Sequence, residues 1–80
     1  MRYVYILASL RHPLLTYVGS TSNLRRRLAK HNAGKSPYTA QHAPWRLVLA
    51  VWFRNGQRAL ELERYLKSGS GRAFALRHLL

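Results

Sequence analysis

The chain has 80 residues and no cysteine, and its 14 Lys and Arg residues against two acidic residues give a formal net charge of +12. This length predicts one small domain over residues 1–80, and the lack of cysteine excludes a disulfide framework and a thiolate metal site. No segment has the roughly 20 apolar residues of a membrane span. We therefore expect a cytoplasmic protein that binds a nucleic-acid backbone and no membrane. An accessory protein of ribosomes or chromatin would carry a similar charge.

The first half of the chain predicts a β-hairpin followed by a helix. Residues 2–8 alternate as a strand that is apolar on both faces, so we expect helices on both sides of the sheet. Residues 14–18 predict the second strand, and Gly19 predicts a sharp turn after it. A helix should then span about residues 22–31, with Gly34 just beyond its end.

The second half predicts one more strand and one or two helices. Residues 32–44 are a polar loop. Residues 45–53 are apolar at all but one position, which indicates a strand buried on both faces at the centre of the sheet. A helix over residues 57–67 should follow, then a break at residues 68–71 and a short last helix over residues 72–80. The element order predicts a small mixed α/β layer.

The only two carboxylates, Glu61 and Glu63, lie on the helix predicted over residues 57–67. Glu63 borders the apolar stripe of that helix, whereas Glu61 points away from it. A carboxylate beside a core stripe is costly unless a cation meets it. The pattern leaves open whether that cation is a basic side chain or a divalent metal. One carboxylate with water and phosphate oxygens suits Mg²⁺, but it cannot form a closed zinc site.

Tyr17 precedes the predicted glycine turn, at a strand end of the kind where open α/β sheets bind ligands. The free pKa of a phenol is about 10, so a tyrosine is a poor base at neutral pH. A cluster of positive charge together with a metal would favour the phenolate. Without a partner motif, the position alone favours a packing role.

The arginines at positions 25–27 differ in helical angle and therefore in expected role. Arg27 lies on the side facing Tyr17, where its planar guanidinium can hold a phosphate through two parallel hydrogen bonds. Arg25 and Arg26 point outward and are expected to contact flanking phosphates. His31 is either a cation at the end of the helix or a proton carrier. Further contacts with nucleic acid are expected from Lys30, Lys35 and Tyr38.

Taken together, these residues resemble the paired motif of the GIY-YIG nuclease superfamily. Residues 3–5 read Tyr-Val-Tyr in place of Gly-Ile-Tyr, and residues 17–19 read Tyr-Val-Gly. The resemblance continues through residues 23–28, His31-Asn32 and the helix that carries Glu63. It covers nearly the whole chain and is strongest to short stand-alone members.

The resemblance implies an α/β (α+β) fold, with a three-stranded antiparallel sheet flanked by helices in the order β-β-α-β-α(-α). It also implies a metal-dependent endonuclease that hydrolyses phosphodiester bonds in branched, flapped or damaged DNA, in repair or recombination. The implied cofactor is Mg²⁺ or Mn²⁺, with no small-molecule cofactor.

The resemblance also implies roles for individual residues. Tyr17 or its neighbourhood would activate the attacking water, Arg27 would contact the scissile phosphate, and Glu63 would bind the metal. Tyr5 matches the tyrosine of the first motif, and His31 would assist proton transfer. The competing hypothesis is a non-catalytic basic nucleic-acid-binding domain that retains the nuclease fold.

Overall fold

The computed structural model describes all 80 residues, Met1–Leu80. One antiparallel sheet with the strand order β2-β1-β3 is formed by β1 (Arg2–Ser9), β2 (Thr16–Thr21) and β3 (Trp45–Phe53). Four helices accompany it: α1 (Leu24–Asn32), α2 (Pro37–Ala40), α3 (Gly56–Lys67) and α4 (Gly69–His78). The α+β class and the three-stranded antiparallel sheet are confirmed, and the short α2 lies within the predicted polar loop. None of the helices has the length and apolar character needed to cross a bilayer.

β1 is the central strand, and its side chains are buried on both faces of the sheet. On one face Val4 and Ile6 pack against α3 and α4. On the other face Tyr5 and Leu7 pack against Trp45 and the partly buried leucines of α1. The two apolar faces of this strand therefore do receive helices on both sides, as predicted.

The prediction that residues 45–53 form the central strand is wrong. β3 pairs with β1 alone and forms one edge of the sheet, and its Leu47, Val51 and Trp52 side chains are exposed. The hairpin places β2 on one side of β1, which leaves the other side for β3. An apolar run of this kind is compatible with a partly covered edge strand as well as with a buried one.

The predicted turn at Gly19 is also wrong, because β2 continues to Thr21 and pairs Gly19 with Tyr5 of β1. The backbone at Gly19 is ordinary strand; the only residue with positive φ is Gly34, at 75°. Gly19 is needed for space instead. A Cβ at this position would come within 2.5 Å of the Tyr5 hydroxyl oxygen and 3.1 Å of the Tyr17 ring. The missing side chain lets the Tyr5 phenol extend over β2.

The helix ends follow local side-chain chemistry. Asn23 caps α1 by accepting a hydrogen bond from the Arg26 backbone amide, and Gly34 follows the helix as predicted. The predicted break at residues 68–71 is shorter in the structure. Ser68 alone separates α3 from α4 and caps α4 by accepting from the amide of Gly71. Gly71 lies against the α3 backbone so closely that a Cβ would collide with the Tyr65 carbonyl.

The end of α1 is tied to the start of β3 by one side chain. The Asn32 Oδ1 atom accepts from the Trp45 backbone amide at 2.6 Å, and Asn32 Nδ2 donates to the Trp45 carbonyl at 3.2 Å. The Trp45 indole in turn donates to the Thr39 carbonyl at 2.8 Å. These bonds set the position of α1, and therefore of the arginines it carries, relative to the sheet.

Candidate active site at the β2 edge

The predicted site residues approach one edge of the sheet from both of its faces. Arg27 and His31 are four residues apart on α1, so they lie on the same side of that helix. Glu63 is carried by α3, which packs on the opposite face. Tyr17 lies on the edge strand β2 between the two helices. The Tyr5 hydroxyl extends over Gly19 of β2 and lies 2.9 Å from His31 Nε2, so it joins the edge strand to α1.

A line of buried hydrogen bonds runs from Tyr5 to the loop after α1. The Tyr5 hydroxyl lies 2.9 Å from His31 Nε2, and His31 Nδ1 lies 2.8 Å from Thr39 Oγ1. Thr39 donates its hydroxyl proton to the Ser36 carbonyl at 3.4 Å. The hydrogen-bond network therefore assigns the His31 proton to Nδ1, donating to Thr39, and makes Nε2 the acceptor for Tyr5.

Both ring systems of this line are held neutral at pH 7. Burial, and then the charge of Tyr17, raises the pKa of Tyr5 to about 12, although Arg27 acts in the opposite direction. Burial and the nearby Arg27 charge lower the pKa of His31. The exposed fractions of Tyr5 and His31 are 1% and 2%. Neither ring is open to solvent, which favours the neutral form of His31 over a cation at the end of α1.

Tyr17 is the partly exposed neighbour of the buried Tyr5–His31 pair. Its ring centroid lies 5.0 Å from that of His31, 6.4 Å from that of Tyr5 and 6.0 Å from that of Tyr38. Lys67 of α3 places its ammonium nitrogen 6.0 Å from the Tyr17 centroid. The Tyr17 side chain is only partly buried, and its hydroxyl is not among the buried atoms that lack a partner. The Tyr17 ring is therefore backed by the buried Tyr5–His31 pair and faces outward.

The Glu63 carboxylate is held by donors from two elements. Its Oε1 accepts from Ser20 Oγ of β2 at 2.8 Å, and its Oε2 accepts from Lys67 Nζ at 2.9 Å. Arg2 approaches the same Ser20, donating to its carbonyl at 3.1 Å. Burial raises the pKa of Glu63, but the Lys67 and Ser20 hydrogen bonds and the charges of Lys67 and Arg2 outweigh burial and lower it overall. Glu63 is therefore ionised at neutral pH, and the cation beside it in this structure is a lysine.

The donor set of the site fits some metals and not others. An ionised carboxylate offers about four lone-pair directions, and only two of those of Glu63 are taken by Ser20 and Lys67. Capacity therefore remains for one cation that takes its other ligands from water and phosphate, which is the habit of Mg²⁺. No group of three or more His, Cys, Asp or Glu side chains exists that could hold a metal by itself. A closed zinc site does not fit.

The remaining candidate residues lie on the surface around this edge. Glu61 is exposed and lies 4.0 Å from Arg58, in agreement with its predicted outward direction. The side chains expected to touch nucleic acid are all exposed; they are Arg25, Arg26, Lys30, Lys35 and Tyr38. A polar cleft of 160 Å³ at the start of α1 is lined by Thr21, Ser22, Asn23, Arg26, Arg27 and Lys30. This cleft offers backbone phosphates a cationic surface beside the candidate site.

Three further residues complete the site: Lys67, Ser20 and Thr39. Lys67 lies four residues after Glu63, a spacing that favours an ion pair on a helix, and this was the one signal available. Ser20 reaches Glu63 only because β2 continues past Gly19. Thr39 meets His31 through the short helix α2, which no sequence pattern predicted.

A comparison with family models identifies the chain. The model of the GIY-YIG catalytic domain matches residues 1–75. The chain belongs to the GIY-YIG family. The motif resemblance is thereby confirmed, and GIY-YIG membership points to a family of nucleases.

Several proteins of similar sequence carry the name UPF0213. The UPF0213 protein of Streptococcus pneumoniae serotype 4 is 42% identical over 52 residues, which are 64% of this chain and 52% of that protein. The UPF0213 protein of Clostridium perfringens is 40% identical over 68 residues, or 84% of this chain and 71% of that protein. The matched part of the chain thus spans about half the length of the S. pneumoniae relative.

A solved structure supports the fold. The solution NMR structure of the UPF0213 protein from Bacillus halodurans matches with a TM-score of 0.57 and 32% sequence identity. The match covers 96% of this chain and 84% of that one. The GIY-YIG chain described here therefore shares its α+β architecture with a UPF0213 protein.

Proposed function

We propose that this chain is a metal-dependent endonuclease that hydrolyses phosphodiester bonds in DNA, with Mg²⁺ or Mn²⁺ as its metal. The observation that supports the proposal most is the convergence of Arg27 and Glu63 on the β2 edge from opposite faces of the sheet. Glu63 is held at β2 by the Ser20 hydroxyl at 2.8 Å, and Arg27 lies one helical turn before His31, which bonds the Tyr5 hydroxyl at 2.9 Å. The Tyr17 ring lies 6.4 Å from that of Tyr5. A phosphate at this edge would meet a guanidinium, an ionised carboxylate and an accessible phenol together.

Each charged group has a distinct task in this proposal. Arg27 binds the scissile phosphate and stabilises the negative charge that grows on it during attack. Glu63 is the residue that would hold the divalent metal, which would neutralise phosphate charge and stabilise the leaving oxygen. Ser20 keeps the Glu63 carboxylate oriented toward the β2 edge through its 2.8 Å hydrogen bond.

Tyr17 is the group that accepts the proton of the attacking water. Its side chain is partly exposed beside the buried Tyr5–His31 pair, and the Lys67 ammonium nitrogen lies 6.0 Å from the centre of its ring. Tyr5 and His31 act as positioning residues, because both are buried behind Tyr17 and hydrogen-bonded to each other. They fix the ring that faces the phosphate.

The surrounding cations would bind DNA without reading its sequence. The side chains of Arg25, Arg26 and Lys30 are exposed on α1. They can contact backbone phosphates, and such contacts carry no sequence information. We infer that the substrate is DNA with branches, flaps or damage, and that the setting is repair or recombination. The resemblance to nucleases of those processes supports this inference.

A non-catalytic DNA-binding domain is the second candidate, favoured by the net charge of +12. Such a domain would bind DNA with an affinity that falls steeply as salt rises, because binding releases counterions. It would cleave nothing under any metal condition.

Nicking of supercoiled plasmid separates the two candidates. We expect wild-type protein to nick in Mg²⁺ or Mn²⁺ and not in EDTA. Arg27→Ala should reduce the rate by about 100-fold or more, the usual loss when a transition-state donor is removed. Arg46→Ala is the matched control, because Arg46 is an exposed arginine on β3, at the opposite edge of the sheet. Salt-sensitive binding with no nicking would contradict the proposal and favour the binding domain.

A further inference from the structure

A second surface, which we call the edge groove, continues from the candidate active site along β2. It has a volume of 510 Å³ and is lined by 13 residues, of which 10 are hydrophobic. One wall is formed by Tyr17 and Tyr38, and the other by Leu76 and Leu80 in and after α4. The volume falls within the range of about 300–1,000 Å³ typical of ligand pockets. Nothing in the proposed hydrolysis of a phosphodiester bond requires an apolar groove of this size.

The edge groove is continuous with the candidate active site through two shared residues. Tyr17 is both the proposed proton acceptor and part of the groove wall. Lys67 binds Glu63 at 2.9 Å and also lines the groove. A nucleic-acid strand whose phosphate lay at Glu63 and Arg27 would therefore carry its neighbouring nucleotide past the groove.

The chemistry of the lining fits a nucleobase attached to a phosphate. Tyr17 and Tyr38 offer aromatic rings with centroids 6.0 Å apart, and exposed aromatic rings are the usual platforms for stacking of unpaired bases. The only three lining residues that are not hydrophobic are Thr16, Lys67 and Arg72, and none is a carboxylate. An apolar floor with cations and no acid is complementary to an apolar base on an anionic backbone.

A base-paired duplex does not fit the edge groove in the same way. In a duplex both faces of each base are stacked and its pairing edge is occupied, so the groove would face only sugars and phosphates. Those groups gain little from an apolar surface. Among the forms of DNA, an unpaired strand is the one that can present the apolar face of a base to the groove.

We propose that the edge groove binds an unpaired base of the substrate strand, next to the scissile phosphate, so that the preferred substrate is single-stranded at that point. This inference rests on the proposed function, since it takes the strand path from the candidate active site. Tyr38 provides the exposed stacking surface, with a relative exposure of 53%. Lys67 and Arg72 hold the phosphate that joins the unpaired nucleotide to the next one.

Binding measured in EDTA tests the groove without hydrolysis. Three fluorescein-labelled probes of equal length are compared by anisotropy: oligothymidylate, a chain of abasic deoxyribose phosphates, and a duplex. We expect wild-type protein to bind oligothymidylate at least about fivefold more tightly than the abasic chain, the lower end of what base stacking on an aromatic ring contributes. The duplex should also bind more weakly than oligothymidylate.

A matched pair of tyrosine variants assigns the effect to the groove. Tyr38→Leu should remove most of the preference for oligothymidylate over the abasic chain. Tyr65→Leu should retain it, because Tyr65 is similarly exposed at 43% but packs on Phe74 outside the groove. Leu76→Ala in the groove and Leu60→Ala outside it form a second matched pair, with the same expected difference, for use if Tyr38→Leu does not fold.

The inference would be overturned by equal affinity of wild type for the oligothymidylate and the abasic chain, or by an unchanged preference in both groove variants. Tighter binding of the duplex would overturn it as well. Base-dependent binding without plasmid nicking would contradict the proposed endonuclease activity but support the edge groove as a binding site for an unpaired base. Nicking with base-independent binding would support the endonuclease activity and contradict the role of the groove. The two proposals can therefore fail separately.

Discussion

The Tyr5 hydroxyl lies over Gly19, in the space that a side chain on β2 would fill. A Cβ on Gly19 would come within 2.5 Å of the Tyr5 hydroxyl oxygen and 2.7 Å of the ring carbon that carries it. Tyr5 is also the partner of His31 at 2.9 Å, so its position is constrained from both ends. Gly19 of the second motif therefore leaves the space that the Tyr5 side chain of the first motif occupies.

Gly19→Ala should lower the free energy of unfolding by about 1–3 kcal/mol, because the added methyl group overpacks a site that has no free space. The control is Gly69→Ala, where no atom lies within 4 Å of the new Cβ and alanine favours the helix. Urea unfolding followed by circular dichroism measures both. Equal stability of the two variants would contradict the packing role of Gly19.

Stability should fall as the pH is lowered through the range of histidine titration. The folded-state pKa of His31 lies below its usual value of 6.5, so below pH 6.5 the unfolded chain takes up a proton that the folded chain does not. The free energy of unfolding therefore decreases from pH 6.5 down to the folded-state pKa, and Glu63 adds a further decrease below 4.5. Unfolding midpoints at pH values of about 7.5 and 5.5 measure the His31 effect.

His31→Gln should flatten this pH dependence between neutral and mildly acidic pH, because the titrating group is gone while a hydrogen-bonding side chain remains. His78→Gln, at an exposed position of α4, should keep the wild-type dependence. A wild-type midpoint that does not move over this range would show that His31 is not the buried neutral group described above.

The carboxyl group of Glu63 can be observed almost in isolation, since the chain has only two acidic side chains. With ¹³C-labelled glutamate, NMR titration should show Glu63 below its ordinary pKa. Ser20→Ala and Lys67→Met should each raise that pKa, because each removes a donor to the carboxylate. Arg58→Met, beside Glu61, is the control. An unchanged Glu63 titration in both donor variants would contradict the assigned contacts.

Asn32 should contribute to stability out of proportion to its exposure. Asn32→Ala leaves the buried Trp45 amide without its 2.6 Å acceptor, which should cost about 1–3 kcal/mol. Asn32→Asp keeps the acceptor and loses only the bond to the Trp45 carbonyl, so its loss should be smaller. Thermal unfolding of the two variants gives the order. A stability of Asn32→Ala equal to wild type would rule out this tie between α1 and β3.

Much of the fold followed from local patterns, and the errors share one cause. The apolar alternation of β1 and the glycine after α1 are local, and they predicted those elements well. The position of β3 in the sheet depends on which side of β1 the hairpin leaves open, which no local pattern records. The same holds for Gly19 and Gly71, whose roles are to make room for Tyr5 and for the backbone of α3.

The site shows the same division. Tyr5, Tyr17, Arg27 and Glu63 were recognisable from motif and spacing, and the structure brings them to one edge of the sheet. The partners that set their chemistry were not recognisable, because Ser20 and Thr39 act through long-range contacts with Glu63 and His31. Burial of His31 depends on β1 and α2 packing around it, so its neutral state followed from the structure alone.

The most direct test of the account compares the two glutamates of α3. Glu63→Gln should abolish Mg²⁺-dependent nicking of supercoiled plasmid, whereas Glu61→Gln, on the same helix but exposed, should nick at the wild-type rate. Nicking that persists in Glu63→Gln at the rate of Glu61→Gln would show that the β2 edge is not where the phosphodiester bond is cleaved.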